Sequence, residues 1–201
     1  MKNIFLSGGG DAIVSKVFDK NFLKLLPKEP ILYIPLAMKP SKYPSCYEWV
    51  TTTFPHLNIE MCTDLTKVKS LNNYGAVYVG GGNTFELLQK IRDSNFDKLL
   101  LPYLNKGGIY YGGSAGAIIL GKTIETSFLG KIKDKNTIKM TNFQGLNLID
   151  DYSIHCHHEE DEDEQVQEFA NKGNKVLALP EGTGLHITDK INFIGKGIKE
   201  F

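Results

Sequence analysis

Short apolar runs of four to seven residues alternate with amphipathic stretches along nearly the whole chain. This alternation restricts the fold more than any other feature. Runs without an in-and-out pattern suit strands covered on both faces, and a helix between consecutive runs returns the chain so that the strands lie parallel. Strands are expected over Asn3–Ser7, Ile31–Leu36, Asn58–Cys62, Ala76–Val79, Ile109–Tyr111, Tyr152–His155, Lys175–Leu179, Gly184–Thr188 and Ile191–Ile194. Helices fit between them near Asp11–Leu26, Tyr43–Thr53, Thr84–Asp93, Asn95–Asn105, Ala115–Gly121 and Glu162–Lys172. Thr188-Asp189-Lys190 reads as a tight turn, so an antiparallel hairpin should close the sheet. The expectation is a three-layer, doubly wound, mostly parallel α/β domain spanning residues 1–201, with a C-terminal antiparallel hairpin. Phe128 to Gln144, polar and lysine-rich, is expected to be a long irregular excursion.

Lys plus Arg and Asp plus Glu both number 23 among 201 residues. A balanced charge gives no reason to expect nucleic acid or an anionic membrane as partner. The apolar runs are of strand length, too short to span a bilayer. Met1–Leu6 passes directly into Ser7-Gly8-Gly9-Gly10 without the core of a signal peptide, so a cytoplasmic location is expected. Cys46, Cys62 and Cys156 are read as reduced thiols, since three cysteines make no disulfide framework.

The chemistry concentrates in Ile109-Tyr-Tyr-Gly-Gly-Ser-Ala-Gly-Ala-Ile-Ile-Leu120. A strand, a compressed Gly-x-Ser-x-Gly turn and a buried helix suit a nucleophile elbow, with Ser114 raised at the carboxyl edge of the sheet beside the free N–H groups of the helix. The alternative is a glycine-rich turn in which Ser114 caps the helix. Gly8-Gly9-Gly10 and Gly80-Gly81-Gly82 also follow strands, where ligands bind in open α/β sheets. Neither matches a phosphate-binding glycine pattern. Gly81 or Gly82 could supply one oxyanion donor and the Ala115 N–H the other. Asn83 and Thr84 beside them are candidate substrate contacts.

A serine nucleophile needs a base, and histidine is the usual one. His56 falls in a loop, and His186 sits within a strand pattern. His155, His157 and His158 end a strand downstream of the serine. In an extended chain His155 and His157 would share a face, with His158 opposite. A metal is not assigned to His155-Cys156-His157-His158-Glu159-Glu160, which lacks both His-Glu-x-x-His and a second Cys-x-x-Cys element. Glu159 to Glu164 reads as the acidic first turn of a helix, with attraction of a peptide's ammonium group as a possible function.

Val79-Gly-Gly-Gly-Asn-Thr-Phe-Glu-Leu-Leu88, Gly113-Ser-Ala-Gly-Ala117, an isolated histidine downstream and Leu179-Pro-Glu-Gly182, in that order, resemble the aspartyl dipeptidase (peptidase E) and cyanophycinase family of serine peptidases. The resemblance runs from about Phe5 to the C-terminus. It implies a fold similar to the glutamine amidotransferase domain, a Ser-His-acid arrangement and no cofactor. Ser114 then takes the nucleophile's place and His157, through Ile-x-x-His, that of the base. Gly81 or Gly82 and Ala115 fall at the oxyanion donors. The family's acidic position falls near Thr137 counted back from Gln144-Gly145-Leu146, or on Leu129 counted forward from Ser114. Neither is acidic, so the expected acid is Asp134, with Glu125 as the alternative. Aspartyl-specific members are similar to one another in a basic residue after the histidine, where this chain carries Glu-Glu-Asp-Glu-Asp-Glu.

The expected activity is hydrolysis of dipeptides or other short peptides by a monomer or homodimer, without aspartyl preference. Two rivals stand beside it: an esterase or acyl hydrolase on the same elbow, and a non-catalytic, amidotransferase-like binding domain.

Overall fold

The computed structural model describes residues 2–201. Strands β1 (Asn3–Ser7), β2 (Ile31–Ile34), β3 (Ile59–Met61), β4 (Ala76–Val79) and β5 (Ile109–Gly113) pair in parallel in the order β3-β2-β4-β5-β1. The sheet is completed by β8 (Gly184–Ile187), antiparallel to β1, and β9 (Ile191–Ile194), antiparallel to β8. The seven-stranded mixed sheet and its closing hairpin have the expected form.

Side-chain alternation along the central strands divides the core into two layers. Phe5, Ile31, Tyr33, Ala76, Tyr78 and Tyr111 pack on one face with Phe18 and Phe22 of helix α1 (Lys16–Leu23) and Val50 of α2 (Tyr43–Thr53). Ile4, Leu6, Leu32, Ile34, Val77 and Val79 point the other way. There they meet α3 (Thr84–Asp93) through Leu87, Leu88 and Ile91, and α4 (Asp97–Asn105) through Leu100 and Leu104. Removing a ring such as Phe22, fully buried against Phe5, Phe54 and Tyr111, would cost about 3–5 kcal/mol.

Two expected strands of the large sheet lie elsewhere. Strands β6 (Tyr152–Cys156) and β7 (Lys175–Leu179) pair in parallel with each other, and β10 (Lys199–Glu200) adds antiparallel to β7 in a separate three-stranded sheet. Between the sheets lies α5 (Ala115–Ile118), buried along its length, and Ile154, Cys156, Leu177 and Leu179 join the same core cluster. The buried helix needs an apolar cover on its far side, and the second sheet supplies it. Helix α6 (Asp163–Ala170) packs Val166 and Phe169 with Val176 of β7. The segment after Phe128 is irregular up to β6, tied to α3 by hydrogen bonds from the Arg92 guanidinium to the Asn142 and Gln144 carbonyls.

The first expected helix is shorter than its pattern. Residues 12–15 form turns, and the Asp11 carboxylate accepts from the Ile13 and Val14 N–H groups. The Asp11 carboxylate meets these N–H groups in the manner of an N-cap, and the regular helix begins only at Lys16.

Candidate active site

β5 delivers Ser114 to the carboxyl edge of the large sheet, directly before α5. Its backbone has φ 48° and ψ −109°, a conformation that costs an L-residue about 1–3 kcal/mol. The surroundings hold it there. The Ser114 N–H donates to the Ser7 carbonyl at 3.2 Å, and its own carbonyl accepts from Ala117 at 2.7 Å and Ile118 at 3.0 Å. Gly116 lets the turn close, since a Cβ there would lie 2.3 Å from the Val79 oxygen.

His157 comes from the loop that leaves β6. Its φ of 58° ends the strand's alternation, and its N–H donates to the Gly8 carbonyl at 2.9 Å. Consequently His157 turns toward the serine while His155 and His158 converge behind it, their ring centroids 5.5 Å apart. The shared face expected for His155 and His157 does not form. Ser114 Oγ and His157 Nε2 are 2.8 Å apart.

The carboxylate beside His157 is Glu181, not Asp134 or Glu125. Its Oε1 lies 2.8 Å from His157 Nδ1. Glu181 follows β7, in a loop clamped to the loop after β1: the Gly182 N–H donates to the Gly9 carbonyl, and the Gly8 N–H to the Thr183 carbonyl, both at 2.9 Å. Asp134 instead accepts from the Thr84 N–H at 2.8 Å, where a carboxylate complements the positive end of α3. Glu125 bonds the Thr123 hydroxyl at 3.1 Å. Leu179-Pro-Glu-Gly182 was visible in the sequence, at the end of an expected strand. The carboxylate that meets His157 lies after it in the chain, whereas Asp134 and Glu125 both lie between the serine and the histidine.

Gly81 packs against the serine, a Cβ on it falling 3.2 Å from Ser114 Cβ. The flanking N–H groups of Gly80 and Asn83 are committed to the Ile34 and Ala37 carbonyls, whereas those of Gly81 and Gly82 have no partner among the described residues. Ala115 is the first residue of α5, where an N–H has no intrahelical acceptor. Asn83 and Thr84 are engaged structurally. The Asn83 side chain caps α3 by accepting from Glu86 and donates to the Lys135 carbonyl, and the Thr84 hydroxyl is buried. Neither lines a cavity beside the serine.

Two cavities flank Ser114. The larger, about 370 Å³, is walled by Tyr33, Met38, Cys46, Trp49, Tyr78 and Tyr111. Burial pushes all three tyrosine hydroxyls up from their ordinary range. The smaller, about 270 Å³, is lined by Ile118, Thr126, Ser127, Ile132, Asp134 and His155. Neither wall contains a lysine or arginine. The remaining histidines lie apart from the serine: His56 is exposed, and His186 stacks on Phe5 with ring centroids 4.2 Å apart. In the acidic run, Glu159 and Glu162 form a reciprocal cap, and Lys131 pairs with Glu159 and Asp161.

A hydroxyl bonded to an imidazole that is itself bonded to a carboxylate can lose its proton as it attacks an electrophilic carbonyl. No helix among the described residues is long and apolar enough to cross a membrane. The family profile of peptidase family S51 matches residues 4–194. A peptidase E of Nostoc sp. is 33% identical over 191 residues, covering 88% of this chain and 76% of its own length. A peptidase E of Haemophilus influenzae Rd is 33% identical over 131 residues, covering 60% and 58%. The fold is similar to a crystal structure of a Listeria monocytogenes EGD-e protein proposed to be a peptidase E. The TM-score is 0.71 at 24% identity, over 100% of this chain and 98% of that one.

Proposed function

Since the chain belongs to peptidase family S51, we propose that it is a serine peptidase of short peptides, with Ser114 as nucleophile, His157 as base and Glu181 as the acid that orients the base. One observation carries this reading: the unbroken chain of contacts from Ser114 Oγ to His157 Nε2, and from His157 Nδ1 to Glu181, each 2.8 Å long. As Ser114 attacks the scissile carbonyl, its proton passes to Nε2, and Glu181 stabilises the imidazolium that forms. The N–H groups of Gly81 or Gly82 and of Ala115 receive the oxyanion. His157 then protonates the leaving amine, and water repeats the sequence on the acyl-enzyme.

An aspartyl substrate would bring a carboxylate into a cavity whose lining holds no lysine or arginine among the described residues. Burying it unpaired would cost several kcal/mol, which favours N-terminal residues with neutral side chains. The non-catalytic reading loses its main motive, because an acid does stand beside His157. The esterase reading shares this machinery and is separated by substrate. Ser114→Ala should lower turnover of a dipeptide panel by several orders of magnitude and abolish fluorophosphonate labelling. Labelling without hydrolysis of any peptide, but with hydrolysis of p-nitrophenyl esters, would replace the peptidase with an esterase.

A further inference from the structure

Behind His157 lies a second cluster of ionisable groups that the hydrolytic machinery does not use. His155 at the end of β6, His158 in the following loop and Glu162 in the 3-10 turn before α6 are each 5% exposed or less. His155 Nε2 lies 3.0 Å and His158 Nδ1 3.7 Å from the same oxygen, Glu162 Oε2, and one ligand atom from each of the three lies within 4.8 Å of the others. His158 Nδ1 is wholly buried and has no hydrogen-bond partner. Its other nitrogen, Nε2, donates to Asp163 Oδ1 at 2.9 Å, so in the neutral imidazole Nδ1 presents a lone pair toward Glu162. Glu162 Oε2 already accepts from the Glu159 N–H at 3.2 Å and faces His155 Nε2 at 3.0 Å, so His158 Nδ1 is the atom of the cluster left without a partner among the described residues, and a cation beside Oε2 would satisfy it.

We propose that His155 Nε2, His158 Nδ1 and Glu162 Oε2 form a binding site for a divalent transition-metal ion with zinc-like preferences. Donors about 2.0–2.2 Å from one tetrahedral ion stand roughly 3.3–3.6 Å from each other; the two nitrogen-to-oxygen separations, 3.0 and 3.7 Å, bracket that spacing, and the two nitrogens lie within 4.8 Å of each other. Two imidazoles and one carboxylate are a zinc donor set, and three protein ligands leave the fourth position to water. The outer contacts are those that orient metal ligands. Asp163 fixes the His158 tautomer, Lys199 steadies Asp163, and the Lys131 N–H holds Glu162 Oε1 at 2.7 Å. The motif His155-x-x-His158-x-x-x-Glu162 differs from the patterns weighed in the sequence, because the left-handed turn at His157 is what brings its members together. An ion there would lock both flanks of His157.

The test is calorimetric titration of the chelator-treated full chain with zinc chloride, alongside visible absorption with cobalt(II). One equivalent is expected, with affinity lowered at least 100-fold in His158→Ala and Glu162→Gln, about 10–100-fold in Asp163→Asn, and unchanged in the exposed Glu160→Gln. X-ray absorption on the zinc-loaded wild-type chain should show two imidazoles, and decides the matter even if the variants do not fold. Absence of stoichiometric binding, full affinity in both His158→Ala and Glu162→Gln, or an all-oxygen shell would each overturn the site.

Discussion

His157 Nδ1 lies 2.8 Å from Glu181 Oε1, a carboxylate 24 residues further along that reaches the imidazole from the end of a different strand. Glu181 is half exposed, with no other side-chain hydrogen bond, so its loss should be felt in catalysis rather than in folding. Glu181→Gln should lower kcat by about 10²–10⁴-fold through the wrong imidazole tautomer, while thermal unfolding shifts by less than about 1 kcal/mol. Asp134→Asn should do the reverse, costing about 1–2 kcal/mol at the start of α3 and sparing kcat. Steady-state kinetics and melts of the two variants check the assignment. A larger kcat loss in Asp134→Asn would return the acid to that residue.

Gly9 governs the position of His157, the proposed base. It has φ +103°, and a Cβ there would fall 2.2 Å from His157 Cε1. The imidazole must therefore move by an ångström or more in Gly9→Ala, and displacement of that size in a catalytic group costs about 10²-fold. Turnover should fall by at least that factor with KM little changed. Near-wild-type turnover in a folded Gly9→Ala protein would show that His157 is not held by this loop.

How far the sequence discloses this molecule varies with the range of the interactions involved. The five parallel strands were legible because each carries its own apolar run, and Tyr43–Thr53 and Thr84–Asp93 were legible to the residue as amphipathic stretches between those runs. That β6 and β7 leave the large sheet was not legible. Their runs look like those of β1 or β4, and only the burial of α5 on both sides demands a second sheet. The turn that raises Ser114 was readable from five contiguous residues. The contact of Glu181 with His157 was not, although its motif was in view, because it depends on two loops clamped together by Gly9 and Gly182. The pairing of His155 with His158 was hidden for a simpler reason: one positive φ at His157 reverses the alternation on which the expectation was built.

Substrate preference should follow from the walls on either side of Ser114. With tyrosines, Trp49 and Met38 in the larger cavity and Asp134 in the smaller, an acidic side chain finds repulsion or an apolar wall, and a neutral one finds contact surface. Across a dipeptide panel varying the N-terminal residue, kcat/KM for aspartyl substrates should lie at least about 10-fold below that for neutral residues of similar size, a difference of 1.4 kcal/mol or more. Faster cleavage of aspartyl dipeptides would require a cation that these walls do not contain.

Below the larger cavity, Asp19 gives the molecule a pH signature. Its carboxyl is buried against Tyr111, whose hydroxyl donates to it at 2.8 Å, with Tyr78 nearby. Burial raises it to about 6, and the Tyr111 hydrogen bond opposes that rise only in part. A carboxyl with a folded pKa above its unfolded value binds its proton more tightly when folded. Its contribution to stability is therefore complete below about pH 4 and is lost as pH rises through 6. A shift of about two units corresponds to at most about 3 kcal/mol. Asp19→Asn keeps an acceptor for Tyr111 and has no charge to bury, so it should be about 1–3 kcal/mol more stable than wild type at pH 8 and nearly equal to it at pH 4. Taking the difference between the two proteins in denaturant titrations cancels the other carboxylates and isolates this one. A difference that stays constant from pH 4 to 8 would mean that Asp19 ionises in the folded protein as it does in water.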